Sequence, residues 1–291
     1  MFVTDWVDFN MYRYISKIRL GYLFIILIFL SQINSQSHSF ISYNIRYDNT
    51  LDIENSWQMR KNKLNEILIQ YSPSVIGIQE GLLHQVEYID SSLSNYDYVG
   101  VGRDDGKMKG EFCAIYFDTT RYNIREHSTF WLSETPDSIS VGWDAALERI
   151  CTYGLFEDIN TSEEFWVFNT HYDHLGNRAR EESSKLILKR IYELNHRSLP
   201  LILMGDFNSI PGSSPINILK LKLSDALQIS LEKLQGPLGT YNGFNLNLPI
   251  EKRIDYIFTS KVKILSYRHL NHRLNNKRHI SDHLPVMIET Q

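Results

Sequence analysis

The stretch Leu201-Ile202-Leu203-Met204-Gly205-Asp206-Phe207-Asn208 sets four consecutive apolar residues against a glycine, a carboxylate and an amide. A run this short and this apolar suits a buried strand, and Gly205 with Asp206 marks where it stops. Upstream, Ala179, Leu186, Ile187, Ile191 and Leu194 give one apolar helical face, and Pro200 closes that helix just before the strand begins. The same order appears nearer the N-terminus. Leu64, Ile67, Leu68 and Tyr71 fall at i, i+3, i+4 and i+7, Pro73 follows, and Val75 to Ile78 is the next apolar run. Strand, helix, strand is therefore the local pattern, with each helix expected to cover one face of a sheet.

Further short apolar runs read as strands: Phe40 to Tyr43, Phe112 to Phe117, Phe165 to Phe168, Tyr256 to Phe258 and Leu284 to Ile288. Many of them carry a chemically capable residue at one end. Phe40 to Tyr43 runs into Asn44, Val75 to Gln79 into Glu80, Phe165 to Thr170 into His171, and Leu201 to Gly205 into Asp206 with Asn208 two further on. Asp255 precedes the run from Tyr256, and Asp282-His283 precedes the run from Leu284. In α/β sheets, ligands gather beyond strand ends, where a rigid scaffold aims side chains from distant sequence positions. Each of these residues alone is an ordinary turn former. Together, carboxylates plus an amide, without paired cysteines or a histidine-rich cluster, form a hard oxygen donor set suited to Mg²⁺ or Mn²⁺.

The 291 residues are 43% apolar, with no repeat, no low-complexity tract and no linker after the N-terminal segment, so one large domain over 37–291 is expected. Thirty Lys and Arg against 34 Asp and Glu give a net charge of −4, which argues against tight electrostatic binding of long nucleic acid and leaves short or small phosphorylated substrates open. A monomer is expected.

Arg13, Lys17 and Arg19 precede an apolar run from Leu20 to Leu30, and polar residues follow to Gln36. That order reads as a secretory signal peptide over 1–36, with Met11 as the natural start, because Asp5 and Asp8 sit awkwardly in a positive leader. The run is shorter than the roughly 18 residues of a membrane span. Export to the periplasm or the exterior is the expectation, with an uncleaved anchor as its alternative. Cys113 and Cys151 read as small core residues, a disulfide between neighbouring strands being the alternative.

Six short motifs now stand in order: Ser42-Tyr43-Asn44, Ile78-Gln79-Glu80, Asn169-Thr170-His171, Gly205-Asp206-Phe207-Asn208, Arg253-Ile254-Asp255-Tyr256 and Ser281-Asp282-His283. This ordered set resembles the signature of the endonuclease/exonuclease/phosphatase family. The resemblance implies a four-layer α/β sandwich, two mixed sheets face to face with helices outside, and a metal-dependent phosphoesterase site at one edge. It implies Glu80 as the principal metal ligand, supported by Asn44 and Asp282. Asp206 resembles the residue that orients or deprotonates the attacking water, with Asn208 beside it. Asp255 and His283 resemble the family's carboxylate–imidazole pair, and His171 the group that contacts a phosphoryl oxygen.

Outside the motifs, Arg149 is a candidate for the substrate phosphate, with ion pairing as the alternative. Asp173 and His174 read as turn or supporting residues, and Trp131 and Trp143 as core residues before stacking groups. Arg46 stands two positions after the motif Asn, where abasic-site endonucleases carry an acidic residue, which argues against DNA repair. The substrate stays open among an oligonucleotide, a phospholipid such as sphingomyelin, and a small phosphoester. Two other readings fit the sequence less well. Thr170-His171-Tyr172-Asp173-His174 resembles the tail of a metallo-β-lactamase zinc motif, but the first paired histidines are missing. A catalytically silent binding module would be expected to have lost motif residues, and the principal ones are present.

Overall fold

Twelve strands form two mixed six-stranded sheets in a computed structural model that describes residues 37–291. The expected signal segment 1–36 lies outside the described residues. The first sheet has the order β11-β12-β1-β2-β4-β3 and the second β5-β6-β7-β8-β10-β9. In the first are β1 (His38–Asn44), β2 (Val75–Gln79), β3 (Tyr96–Val99), β4 (Ile115–Asp118), β11 (Ile264–His269) and β12 (Val286–Thr290). The second holds β5 (Tyr122–Trp131), β6 (Ile150–Asp158), β7 (Glu164–His171), β8 (Leu201–Asp206), β9 (Ser224–Asp225) and β10 (Asp255–Ser260).

Each sheet contains one parallel pair, and each pair is joined by a long helix. A parallel pair needs a crossover. Helix α1 (Trp57–Tyr71) links β1 to β2, and α3 (Asn177–Leu194) links β7 to β8; both are the helices expected from periodicity. Ser72 ends α1 in the left-handed region at φ 41°, its N–H returning to Leu68 O, and Pro73 prevents continuation. The shorter α2 (Leu83–Ser92), α4 (Ser214–Lys220) and α5 (Ala226–Ile229) complete the helices described.

Strand alternation sorts the core into three apolar layers. On β8, Ile202 and Met204 face the other sheet, against Phe40, Val75, Ile115 and Val286, while Leu201 and Leu203 face outward with Ile187 of α3 and Ile216 of α4. On β1, Phe40 points inward, and Ile41 points to Leu64, Ile67 and Leu68 of α1. Each such buried side chain contributes about 1.5–3 kcal/mol of transfer free energy. Helices outside two sheets make the four layers of an α/β sandwich.

One polar interruption crosses the inner layer. Gln79 Nε2 donates to Asn169 Oδ1 at 2.7 Å, and Asn169 Nδ2 donates to Ile78 O at 2.8 Å and Ala114 O at 2.9 Å. These motif residues tie one sheet to the other directly beneath the strand ends. The sheets are close here, because a Cβ on Gly77 would stand 2.7 Å from Met204 Cε.

Cys113 and Cys151 are buried and unbridged, and Trp131 is buried with its Nε1 donating to Arg103 O at 2.8 Å. Trp143 is half-buried. No helix among the described residues is long and apolar enough to cross a membrane.

Candidate active site

Register brings the motif residues together. Asn44 pairs with Gln79 on the parallel β1–β2 ladder, His171 with Asp206 on β7–β8, and Asp206 with Asp255 on the antiparallel β8–β10 ladder. C-terminal ends of parallel strands and N-terminal ends of their antiparallel neighbours therefore share one edge. Glu80, Arg149, His171, Asp206, Asn208, Asp282 and His283 line a cleft of about 470 Å³ there, together with Arg46, Tyr47, Glu111 and Lys252. Asn44 and Asp255 lie buried beneath it.

The backbone is bent hard at these positions. Arg46, Glu80 and Asn208 have φ of 58°, 63° and 45°, a region that side-chain-bearing residues seldom occupy and that functional sites retain. Gly205, at φ 151°, leaves no alternative to glycine: a Cβ there would lie 2.0 Å from Thr170 O.

Asn44 Nδ2 donates to Glu80 Oε1 at 2.9 Å and to Asp206 Oδ2 at 3.0 Å, while its Oδ1 accepts from the N–H of Arg46 at 3.0 Å. The amide thus bridges the carboxylates of the two sheets. Asp206 Oδ1 also accepts the N–H of Asn208 at 2.9 Å, and burial pushes its pKa up to about 7 although His283 opposes the rise. Arg46 Nη1 stands 3.9 Å from Glu80 Oε2 and 3.9 Å from Asp282 Oδ2, so a cationic group already sits between these two acids. Arg46 is itself held by Asp52 at 2.9 and 3.1 Å.

On the other side, His283 Nδ1 meets Asp255 Oδ2 at 2.9 Å and Oδ1 at 3.1 Å, and its Nε2 lies 3.7 Å from Asp206 Oδ2. Burial works against a charge on this ring, but Asp255, Asp206 and Asp282 outweigh it and hold the pKa well above the ordinary value. Thr240 Oγ1 donates to Asp255 Oδ2 at 2.5 Å and fixes the carboxylate. His171 is the opposite case: burial, then Arg149 and Arg103, push its pKa well down.

Two supporting groups were not singled out in the sequence. Glu111 receives both Nη atoms of Arg103 at 2.8 Å and stands 3.7 Å from His171 Nδ1; burial and Glu80 push its pKa up to about 7. Its place, directly before the run Phe112 to Phe117, matches that of Asp255 before the run Tyr256 to Phe258, and that position was the available signal. Arg60 of α1 is fully buried and donates to Asn55 O, Ile45 O, Ile280 O and Arg46 O at 2.6, 2.7, 2.9 and 3.0 Å, pinning the segments that carry Asn44 and Asp282.

One ligand atom each from Glu80, His171 and Asp206 lies within 4.8 Å of the others, as do atoms of Asp206, Asp255 and His283. The second group suits a proton-bearing imidazole pair better than an ion, since Asp255 already engages His283 Nδ1. The first side fits a divalent cation: Glu80 and Asp206 offer hard oxygens, and a cation would offset the cost of burying the Asp206 carboxylate, which is what chiefly raises its pKa. Asp282 flanks it across Arg46.

A sequence model of the "Endonuclease/Exonuclease/phosphatase family" matches residues 41–283. The chain belongs to this family. Its members are hydrolases that act on phosphate esters, and the matched span runs from β1 through His283. Among solved structures, the Bacteroides thetaiotaomicron mannosyl-6-phosphatase is 38% identical, with a TM-score of 0.83 covering 87% of this chain and 99% of that one. A family protein from Bacteroides vulgatus is 32% identical, with a TM-score of 0.84 covering 88% of this chain and 99% of that one. An uncharacterised protein of Acanthamoeba polyphaga mimivirus is 26% identical over 253 residues, which is 80% of this chain and 91% of that protein.

Proposed function

We propose that this family member is an exported, Mg²⁺- or Mn²⁺-dependent phosphatase that hydrolyses phosphate monoesters of small hydroxylated molecules such as hexose phosphates. The observation that carries the reading is the cleft. It joins acids suited to a cation (Glu80, Asp206, Asp282) to a raised-pKa imidazole (His283) and to cationic walls (Arg46, Lys252) within about 470 Å³, a volume within the range of small-molecule sites. The 38% identity to a protein described as a mannosyl-6-phosphatase supports a phosphomonoester, as does the net charge of −4.

In this mechanism Glu80, with Asn44 bridging it to Asp206 and Asp282 at its flank, would hold the cation. When bound, the ion supplies charge neutralisation at the phosphoryl oxygens. Asp206 orients the attacking water and takes its proton. His171 donates from Nε2 to a phosphoryl oxygen, and Asn208, whose Nδ2 donates to Tyr172 O at 3.0 Å, holds the chain next to that ring. His283, charged against Asp255, donates to the oxygen on which negative charge accumulates.

The test is hydrolysis of mannose 6-phosphate, p-nitrophenyl phosphate, bis-(p-nitrophenyl) phosphate, single-stranded RNA and sphingomyelin, with Mg²⁺, Mn²⁺ or EDTA. Metal-dependent release of phosphate from the monoesters, lost in Asp206→Ala and His283→Ala, supports the proposal. Turnover confined to the diester, RNA or lipid refutes it in favour of a phosphodiesterase.

A further inference from the structure

We propose that Arg149 acts as a positioning residue rather than a phosphate ligand, and that it presents His174 as a further specificity-determining contact. His174 would donate its Nε2–H to a hydroxyl of the substrate's leaving alcohol. The substrate part of this inference rests on the phosphomonoesterase reading.

Arg149 is 4% exposed, and three of its nitrogens are engaged within the protein. Nε donates to Asp173 Oδ2 at 3.3 Å, Nη1 to His171 Nδ1 at 3.1 Å and Nη2 to His174 Nδ1 at 3.0 Å. A guanidinium only donates, so each imidazole has to accept at Nδ1 and carry its proton on Nε2. One buried fork thereby sets the tautomer of two histidines. Asp173 does not compete for His174, since its Oδ2 lies 3.9 Å from Nδ1, beyond hydrogen-bond reach. Its Oδ1 accepts the N–H groups of Leu175 and Gly176 at 2.9 and 2.7 Å, which fixes the turn carrying His174. Arg180 Nη1 holds Asp173 O at 2.9 Å from α3.

The two histidines differ in depth. The side chain of His171 is 6% exposed, beside Asp206, whereas that of His174 is 49% exposed and lines the cleft with Leu147 and Lys252. Among the described residues, Nε2 of His174 has no hydrogen-bond partner. The deeper ring suits the phosphoryl group and the outer ring suits the alcohol that projects from it. A rim donor of fixed tautomer discriminates for an acceptor hydroxyl and against an apolar leaving group.

Two measurements test this. First, long-range ¹H–¹⁵N correlation of the purified protein labelled at histidine is expected to show His174 with its proton on Nε2, and Arg149→Met is expected to remove that preference. A proton on Nδ1 in the wild type, or an unchanged tautomer in the variant, overturns the positioning role. Second, His174→Ala is expected to raise KM for mannose 6-phosphate about 5- to 10-fold, the loss of one hydrogen bond, and KM for p-nitrophenyl phosphate by less than about 2-fold. His174→Gln, which can place an N–H near the position of Nε2, should restore most of the difference. Equal effects on both substrates, or none, overturn the specificity role. A wild-type protein inert toward all phosphate esters would remove the function on which the second measurement depends and with it the specificity role, while the tautomer would still decide the role of Arg149.

Discussion

Asp255 presents both carboxylate oxygens to one nitrogen of His283, at 2.9 and 3.1 Å, both residues buried and the nearer oxygen also held by Thr240 Oγ1. A ring so held keeps its proton above the pH at which a free imidazole loses it. Asp255→Asn removes the charge and leaves the shape. The expected outcome is a fall in kcat of about 10²- to 10⁴-fold and a displacement of the alkaline limb of the pH–rate profile to lower pH, because His283 then deprotonates sooner. Rates from pH 5 to 10 on the variant check it, and an unmoved alkaline limb counts against a charged His283 in catalysis.

Divalent cation should stabilise the fold as well as permit turnover. Glu80 and Asp206 face each other through Asn44, and a bound ion relieves their repulsion. At a hundredfold excess over Kd, Mg²⁺ or Mn²⁺ adds about 2.7 kcal/mol, which for a domain of this size raises Tm by about 5–10 °C. Glu80→Gln should weaken the midpoint of that shift at least about 10-fold. Calorimetry after exhaustive chelation, followed by metal titration, provides the readout.

Asn169→Ala should destabilise without touching the cleft wall. The substitution removes three hydrogen bonds inside the sandwich, the bond from Gln79 Nε2 and those to Ile78 O and Ala114 O, leaving Gln79 Nε2 only its longer contacts to Ser42 Oγ and Gly77 O. Losing three buried hydrogen bonds costs about 2–4 kcal/mol in all. Urea unfolding should show a lower midpoint with an unchanged m-value.

His269 supplies an acid-side weakness. Its ring is buried, with Nδ1 against Pro237 O at 2.7 Å, and burial lowers its pKa to about 4. The unfolded chain therefore binds a proton that the folded one refuses. Stability from this group is complete above about pH 6.5 and declines as pH falls toward 4, by up to about 3 kcal/mol. His279, also lowered to about 4, acts in the same direction. Denaturation midpoints at pH 7 and 4.5 should differ accordingly, and His269→Gln should narrow the gap.

The edge that holds the candidate site was legible because its residues break apolar runs: Glu80 after Val75 to Gln79, Asp206 after Leu201 to Gly205. A polar residue at a buried strand's end is visible without knowing the strand's neighbours. The helices α1 and α3 were legible from their spacing. Strand β5 was not, since its middle is exposed from Glu126 to Ser128 and shows no alternation of period two. Strand β11 escaped for a similar reason, with charged and polar residues mixed along an edge. Arg60 was beyond sequence reading altogether. On a helix, arginine suggests a solvated face, and only the arrival of four carbonyls from separate segments makes its burial tolerable. Asn44 was assigned to the metal from its motif; the structure shows its Nδ2 spanning two acids, a geometry that needs both sheets in place.

The last strand of the sequence, Val286–Thr290, lies between β1 and β11, inside its sheet rather than at its margin. Without it, β1 and β11 would each present an unpaired edge, and His283, three residues before Val286, would lose the strand that anchors it beside Asp255. A chain cut before Val286 would be adhesive, with open edges that pair readily with other chains. The strand that seals the sheet against other chains is thus also the tether that keeps His283 at Asp255.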